Sequence, residues 1–213
     1  MSASLPALYL ASASPRRGEL LTQIGVSYER LAIAFDETRG DAEAAADYAM
    51  RLALGKAQAG YQRVAAGAPK RPVLGADTIV VLGGDILAKP ADLTEAKAML
   101  ARLAGRWHEV LTAVAVVGEA PATNEELIVT AMNQTRVHMR ALSAAEITAY
   151  VHREHVLDKA GAYAVQGLAG AFIDRIEGSY SAVMGLPLCE TSQLLQRFGI
   201  NVLTCQQNNK SYE

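Results

Sequence analysis

The sequence predicts an α/β fold in which helices flank a mixed sheet. A short apolar run at 8–11 stops at polar residues, and Pro15 follows, so the chain passes from a strand directly into a helix. Gly83 and Gly84 separate two apolar runs and indicate a β-hairpin, whose strands are antiparallel. Strands and helices alternate without a strict strand–helix–strand rhythm, which favours a mixed sheet over a fully parallel one.

Length and composition are those of a protein with a full hydrophobic core. The chain has 213 residues, of which 51% are apolar, enough for one large domain or two small lobes that share a cleft. The net charge of −2 argues against a broad nucleic-acid-binding surface, so any anion site must be a local cluster of basic residues. Cys189 and Cys205 lie far apart without metal-ligand spacing, which predicts reduced thiols. No stretch reaches the ~18 apolar residues that a membrane-spanning helix needs, so we expect a cytoplasmic protein with no membrane partner.

The loop between the first strand and the first helix carries a candidate anion site. Ser14 is suited to cap the helix, and Gly25 is suited to end it in a left-handed conformation. Arg16 and Arg17 fall in the first turn, where cations oppose the helix dipole. They are accommodated if a phosphate lies between them and the exposed N–H groups. The alternative is a solvated helix start with two surface arginines, and this stretch alone leaves both interpretations open.

The next segments are a strand over 26–35, an alanine-rich helix over 41–60 and a basic loop over 61–71. Two adjacent acids at 36–37 end the strand, and such a pair either binds a metal, activates water or forms a solvated turn. Lys56 lies near the edge of the apolar face of the helix, where a lysine usually extends to water.

The most unusual stretch is the apolar strand predicted over 72–82, which is interrupted only by Asp77 and Thr78. A carboxylate among Val, Leu and Ile is costly unless it is paired, binds a metal or faces a cleft, so Asp77 is a candidate functional acid. Gly75, just before it, leaves room for a ligand to approach the backbone. Pairing across the hairpin places Lys89 opposite Thr78, as either a structural ion-pair partner or a phosphate ligand.

The remaining elements are predicted from periodicity and capping signals. They are a helix over 92–103, strands over 107–117 and 127–139, a helix opened by the capping box Ser143–Glu146, a strand over 172–176 and a helix from Pro187 to Phe198. Between them, residues 157–167 form a loop in which polar residues are spread among small ones. Residues 204–213 form a polar C-terminal tail.

Six motifs occur in an order and with a spacing that resembles one protein family. They are Ser12–Arg17, Gly75–Thr78, Lys89–Pro90, Asp158–Tyr163, Gln166–Gly167 and Met184–Pro187. Over residues 7–200 the chain resembles the Maf family of nucleotide pyrophosphatases, also described as septum-formation inhibitor-like. The resemblance implies a single domain over 1–203, with a long, mixed, twisted sheet and two lobes around a cleft. It also implies a relation to the inosine triphosphate pyrophosphatase (Ham1) fold.

The resemblance further implies a reaction. The family hydrolyses a nucleoside triphosphate between the α and β phosphorus atoms and releases a nucleoside monophosphate and pyrophosphate. Attack of water at the α-phosphorus requires neutralised phosphate charge, an activated water and a stabilised leaving group. The expected neutral donor and cations that bind the phosphates are Ser12, Arg16, Arg17, Lys56 and Lys89.

Glu37 and Asp77 are the carboxylates of this expected site. In the family, the acid that matches Asp77 is assigned as the proton acceptor, and the acid that matches Glu37 lies in the same site. A divalent cation, Mg²⁺ or Mn²⁺, would bridge carboxylate and phosphate oxygens. Which of the two acids takes the proton and which holds the metal stays open. Lys89 completes the expected catalytic group.

Three positions indicate the base that such an enzyme selects. Family members that resemble dTTP/UTP pyrophosphatases carry Arg, Thr and Gln at the positions that match Arg16, Thr78 and Gln166. A glutamine amide both donates and accepts hydrogen bonds, so it matches the carbonyl and N–H edge of thymine or uracil. The expected substrates are therefore dTTP and UTP.

Two other functions stay open at this point. One is a non-catalytic nucleotide-binding regulator of septum formation, and the other is a pyrophosphatase that prefers a modified nucleotide. A pure binder gains little from two carboxylates beside a triphosphate, because like charges repel, and this favours an enzyme. The resemblance also implies a homodimer, whose surface the sequence does not identify.

Overall fold

The chain forms a seven-stranded mixed sheet flanked by helices, as seen in a computed structural model that describes residues 7–65 and 70–204. The strands are β1 Leu8–Ala11, β2 Tyr28–Arg30, β3 Val73–Leu82, β4 Asp85–Leu87, β5 Arg106–Glu119, β6 Glu126–Met139 and β7 Ile173–Glu177. The α-helices are α1 Pro15–Gln23, α2 Ala45–Ala65, α3 Leu93–Leu103, α4 Ala144–Arg153, α5 Tyr180–Met184 and α6 Leu188–Gln196. The predicted fold class is confirmed. The predicted tail 204–213 falls, from residue 205 onward, outside the described residues, and so does Cys205.

The sheet is interrupted along one edge of β3. The strand order is β2-β1-β3-β5-β6-β7, with β4 also paired to β3, and only the β1–β2 and β1–β3 pairs are parallel. On one edge, β3 pairs with β5 continuously from Val73 to Val81. On the opposite edge of β3, pairing with β1 ends at Gly75, and pairing with β4 starts at Val80. Residues 76–79 therefore face an opening between two short strands.

The two faces of the sheet carry different helices. Even-numbered apolar residues of β3 pack in the clusters that contain α1, α3, α4 and α6. The odd-numbered residues Val73, Ile79 and Val81 pack in two clusters that both contain residues of α2. Successive side chains of a strand point to opposite faces. Asp77 consequently points toward α2, while Thr78 points to the other face, and both lie at the opening in the sheet.

Helix α2 lies unusually close to β3 because Gly75 has no side chain. A Cβ atom at Gly75 would lie 2.3 Å from the carbonyl oxygen of Ala53 and 2.7 Å from the backbone nitrogen of Ala57. The prediction that Gly75 leaves room for a ligand is wrong, since the helix fills that space. The close approach instead sets Lys56, on the same helix, against Asp77.

Two predicted boundaries in the first half of the chain are wrong. The strand expected over 26–35 is limited to Tyr28–Arg30, because its neighbour β1 is four residues long and the last backbone hydrogen bond between them runs from Leu31 N–H to the carbonyl of Leu10. The helix expected over 41–60 begins at Ala45 and continues to Ala65, into the predicted loop. Val64 is buried in a cluster with Tyr9, and this packing favours the extra turn.

Other elements follow their local signals. Asp92 caps α3 through its side chain, and the capping box of Ser143 and Glu146 is present at the start of α4. Pro187 is the N-cap of α6 rather than its first helical residue, and the short helix α5 before it was not predicted. Within the described ranges, no helix is long and apolar enough to cross a membrane.

Candidate active site

A cavity of about 650 Å³ lies at the opening beside β3. This volume is typical of a site for a small molecule. All nine of the sequence-predicted site residues line it, namely Ser12, Arg16, Arg17, Glu37, Lys56, Asp77, Thr78, Lys89 and Gln166. The structure therefore brings together residues that are up to 154 positions apart in the sequence, from Ser12 to Gln166.

Lys56 joins the two carboxylates of the cavity. Its Nζ atom lies 2.6 Å from Oδ1 of Asp77 and 2.6 Å from Oε1 of Glu37. The side chains of Lys56 and Asp77 are only 12% and 13% exposed, so their ion pair is largely shielded from water. A lysine at a helix edge usually extends to solvent, but Lys56 turns into the cavity because the adjacent strand presents a carboxylate to it.

Glu37 is the more exposed of the two acids and has a second cationic neighbour. Lys89 Nζ lies 3.7 Å from Oε2 of Glu37. Partial burial alone would raise the pKa of Glu37, but the hydrogen bond and charge of Lys56, together with Lys89, outweigh it and hold that pKa below its ordinary value. Glu37 is therefore ionised at neutral pH.

Arg17 is buried and organises the wall of the cavity opposite α2. Its Nε atom donates to the carbonyl of Gly185 at 2.8 Å, Nη1 to the hydroxyl of Ser12 at 2.9 Å, and Nη2 to Thr78 Oγ1 at 3.3 Å. Burial lowers the pKa of Arg17, and Asp77 opposes this shift. Three of the five N–H groups of a guanidinium are thus committed to protein acceptors, which leaves two for a phosphate.

The loop before α1 is held by Ser12 and not by the predicted cap. Ser14 is the N-cap residue, but its side chain makes no capping hydrogen bond. The Ser12 hydroxyl instead accepts from the backbone N–H of Ser14 at 3.2 Å and from Arg17. The hydroxyl of Ser14 is consequently not used by the first turn of α1.

A second charged group, from the Asp158–Tyr163 motif but not predicted as part of the site, lines the cavity near Arg16. Asp158 Oδ2 lies 3.5 Å from Arg16 Nη1, and Asp158 Oδ1 accepts a 2.6 Å hydrogen bond from Lys159. Lys159 is buried and also donates to the carbonyl of His155. Partial burial raises the pKa of Asp158, but Lys159 and Arg16 outweigh it, so that the pKa is lowered. The sequence feature that could have indicated this group is an acid and a lysine placed among small residues in the 157–167 loop.

The three expected base-selecting residues, Arg16, Thr78 and Gln166, all line the cavity. Thr78 Oγ1 accepts hydrogen bonds from Arg17 and from Thr112 Oγ1 at 3.1 Å, so its own position is fixed. Gln166 is exposed on the 157–167 loop. Within residues 7–65 and 70–204, the side-chain amide of Gln166 has no protein hydrogen-bond partner.

The donor set of the cavity suits a hard divalent cation only in part. Among the described residues, no group of three His, Cys, Asp or Glu side chains could hold a metal ion. Three carboxylates line the cavity: those of Glu37 and Asp77, which share the Lys56 ammonium, and that of Asp158, which pairs with Arg16 and Lys159. Two carboxylates fit Mg²⁺ or Mn²⁺ when phosphate oxygens and water supply the remaining ligands, which is the usual manner of Mg²⁺ binding in nucleotide sites.

A cavity that sets basic side chains beside carboxylates, at an interruption in a mixed sheet, is typical of an enzyme that acts on a phosphate-containing substrate. The family described as Maf-like protein matches residues 7–198, and the chain belongs to this family. The family predicted from the six motifs is confirmed.

Curated relatives are similar over nearly their whole length. A dTTP/UTP pyrophosphatase of Methylobacillus flagellatus is 52% identical over 95% of this chain and 98% of the relative. A dTTP/UTP pyrophosphatase of Hahella chejuensis is 50% identical over 92% of this chain and 94% of the relative. That of Escherichia coli strain K12 is 48% identical, with 91% and 94% covered.

Proposed function

We propose that this protein hydrolyses dTTP and UTP to the nucleoside monophosphate and pyrophosphate. The observation that carries the proposal is the Lys56 ammonium between Asp77 and Glu37 in a cavity that Arg17 and Lys89 also line. Cations there can neutralise a triphosphate, while the acids can accept a proton and hold a divalent cation. The names of the three relatives agree with this substrate class.

The reaction is an attack of water on the α-phosphorus. The water oxygen forms a bond to that phosphorus, the bond to the α–β bridging oxygen breaks, and pyrophosphate leaves with the bond's electron pair. Asp77 accepts the proton of the attacking water, and its burial beside Lys56 keeps its position fixed. Arg17, Lys56 and Lys89 bind the phosphates, and Ser12 adds a hydroxyl donor.

Glu37 and Asp77 would hold the divalent cation, either Mg²⁺ or Mn²⁺. When bound, the ion supplies positive charge next to the phosphate oxygens. Lys56 contacts only Oε1 of Glu37 and Oδ1 of Asp77, so the second oxygen of each carboxylate would serve the ion, and phosphate oxygens that bind the ammonium would also release the first. We place the ion's main protein ligand at Glu37, which is more exposed, and leave proton transfer to Asp77.

Base selection is assigned to Arg16, Thr78 and Gln166. Gln166 presents an uncommitted amide, which can pair with the carbonyl and N–H edge of thymine or uracil. The substrate is a free nucleotide of the cytoplasm, and the enzyme is a homodimer in this proposal. Light scattering at micromolar concentration tests the dimer, and a monomer would contradict it.

The experiment is a pyrophosphate-release assay with Mg²⁺ and with dTTP, UTP, CTP or 7-methyl-GTP. We expect the highest kcat/KM for dTTP and UTP. Nucleotide binding without pyrophosphate release would instead support the non-catalytic regulator. A preference for 7-methyl-GTP would support the modified-nucleotide alternative and contradict the assignment of the three base-selecting residues.

A further inference from the structure

Glu37 lies on a segment without regular secondary structure, between the end of β2 at Arg30 and the start of α2 at Ala45. Its side chain is 44% exposed, and its carboxylate meets Lys56 at 2.6 Å. An exposed acid on an irregular segment has many alternative positions, and each of them opposes a fixed catalytic geometry. Something in the fold must therefore hold the segment 31–44 in place.

Two side chains of α2 hold two successive peptide groups, Glu37–Thr38 and Thr38–Arg39. Tyr48 donates its hydroxyl hydrogen to the carbonyl oxygen of Glu37 at 2.6 Å. Arg51 donates from Nη2 to the carbonyl oxygen of Thr38 at 2.9 Å. Two successive carbonyl groups are thus fixed by residues that lie three positions apart, on one side of the helix.

Arg51 also closes the segment on its far side. Its Nε and Nη2 atoms contact Oε1 and Oε2 of Glu43 at 2.7 and 2.8 Å, which is a bidentate ion pair. The same Glu43 carboxylate accepts the backbone N–H of Gly40 at 3.1 Å. The hydrogen bonds from Arg51 lower the pKa of Glu43 to about 2, so the pair stays ionised wherever the enzyme would work.

A third contact lies one turn further along α2. The ring of Phe35 occupies the space over Gly55, where a Cβ atom would lie 2.1 Å from the ring carbon Cζ. Any residue with a side chain at this position would displace the ring. Residues 48, 51 and 55 are spaced so that they lie on one face of α2. This face holds the segment through the Tyr48 hydroxyl, the Arg51 guanidinium and the space above Gly55 that the Phe35 ring fills.

We infer that Tyr48, Arg51 and Gly55 are positioning residues for Glu37. They touch the segment and not the cavity, and they act on the reaction only through the placement of the Glu37 carboxylate beside Lys56 and Asp77. The inference rests on the proposed function, because it assigns Glu37 a part in turnover. It extends the site by three residues that none of the sequence motifs contained.

The first test is Tyr48→Phe, which removes one hydroxyl and keeps the ring. Its matched control is Tyr61→Phe on the same helix. We expect Tyr48→Phe to lower kcat for dTTP about tenfold, which is typical when a group that orients an active-site residue by a hydrogen bond is lost. KM should change by less than about twofold. The control keeps the wild-type kcat. A wild-type kcat in Tyr48→Phe would overturn the inference.

The second test separates positioning from general stability. If Tyr48 acts through Glu37, then adding Tyr48→Phe to Glu37→Gln changes kcat by less than about twofold, because the group it positions has already been lost. A tenfold loss in both backgrounds would mean that Tyr48 acts independently of Glu37, and this would overturn the inference. Thermal unfolding of all variants identifies any loss that comes from misfolding.

Hydrogen exchange of the segment 31–44 gives a readout that needs no turnover. We expect faster exchange in Tyr48→Phe, Arg51→Met and Gly55→Ala, and wild-type exchange in Arg102→Met, which breaks an exposed ion pair with Asp85. Unchanged protection in the first three variants would overturn the inference. Absence of pyrophosphate release from the wild-type protein would instead overturn the proposed function. The exchange rates would still show whether Tyr48, Arg51 and Gly55 hold the segment 31–44.

Discussion

Lys56 Nζ and Asp77 Oδ1 are 2.6 Å apart across the interface between α2 and β3, although 21 residues separate them in the chain. The contact exists because Gly75 lets the helix backbone approach the strand. A triphosphate that draws Lys56 toward its own oxygens would free Asp77 Oδ1 from this contact and leave it open to the attacking water.

Replacement of Asp77 by Asn should remove most of the turnover and preserve nucleotide binding. The amide keeps the size of the side chain but cannot take a proton, and loss of a general base typically lowers the rate by about 10²–10⁴. Pyrophosphate release at saturating Mg²⁺ measures kcat, and isothermal titration measures binding. A variant that keeps more than half of the wild-type kcat would contradict the assignment of Asp77.

Lys56→Met should bind Mn²⁺ more tightly than the wild-type protein in the absence of nucleotide. The substitution frees two carboxylates from their shared ammonium, and added ligand charge strengthens binding of a hard cation, by about tenfold in this expectation. Titration of free Mn²⁺ by electron paramagnetic resonance measures the affinity. Lys70→Met, which breaks an exposed ion pair with Glu119, is the control. Equal Mn²⁺ affinity in both variants would argue against a metal site at Glu37 and Asp77.

Alanine at Lys89 and alanine at Arg17 should have different effects. Lys89 is 60% exposed, so its loss should raise KM for triphosphates and leave the free energy of unfolding nearly unchanged. Arg17 is buried and holds Ser12, Thr78 and Gly185, so Arg17→Ala should destabilise the fold by about 2–4 kcal/mol through unpaired acceptors. Urea unfolding and steady-state kinetics separate the two effects. Equal stability of the two variants would contradict the organising role of Arg17.

The stability of the fold should fall between pH 6.5 and pH 4 because of His108. The ring is buried and hydrogen-bonded to Tyr163 at 2.7 Å, and burial lowers its pKa from 6.5 to about 4. Below pH 6.5 the unfolded chain binds a proton at His108 that the folded chain excludes, so acid favours unfolding until the folded pKa is reached. At pH 5 this amounts to about 2 kcal/mol. In urea unfolding at pH 7.5 and pH 5, wild-type protein should lose that much more stability than His108→Gln, and equal losses would contradict the shift.

Local signals in the sequence were sufficient for some elements and not for others. α3 and α4 were predicted closely because their caps, Asp92 and Ser143, and their apolar faces lie within each segment. The length of β2 depends instead on its neighbour β1, which is distant in the sequence and only four residues long. No local pattern contains that information.

In the site, too, some residues could be predicted from local sequence and others depend on partners that are distant in the chain. Asp77 was recognisable because a carboxylate in an apolar strand needs a partner, but the sequence could not name Lys56 as that partner. Their contact depends on how closely α2 packs on β3, and Gly75 was assigned the wrong role for the same reason. Asp158 and Lys159 belong to one of the six motifs but were not predicted as site residues, because the ion pair of Asp158 with Arg16 joins segments that are distant in the sequence.

Gln166→Glu should weaken the preference for dTTP and UTP. Glutamate keeps the size of the side chain and its acceptors but loses the amide N–H donors, so one carbonyl of thymine or uracil would face an acceptor. Because Gln166 has no protein hydrogen-bond partner in the part of the chain that the structure describes, its amide is available to a base and is not needed to brace its own loop. A mismatched polar contact is strongly discriminating, and we expect kcat/KM for both nucleotides to fall at least about tenfold.

Gln193→Glu, on α6, is the control, and kcat/KM for dTTP, UTP and CTP is the measurement. Unchanged ratios among the three nucleotides in Gln166→Glu would remove Gln166 from base selection and leave Arg16 and Thr78 as the residues to test.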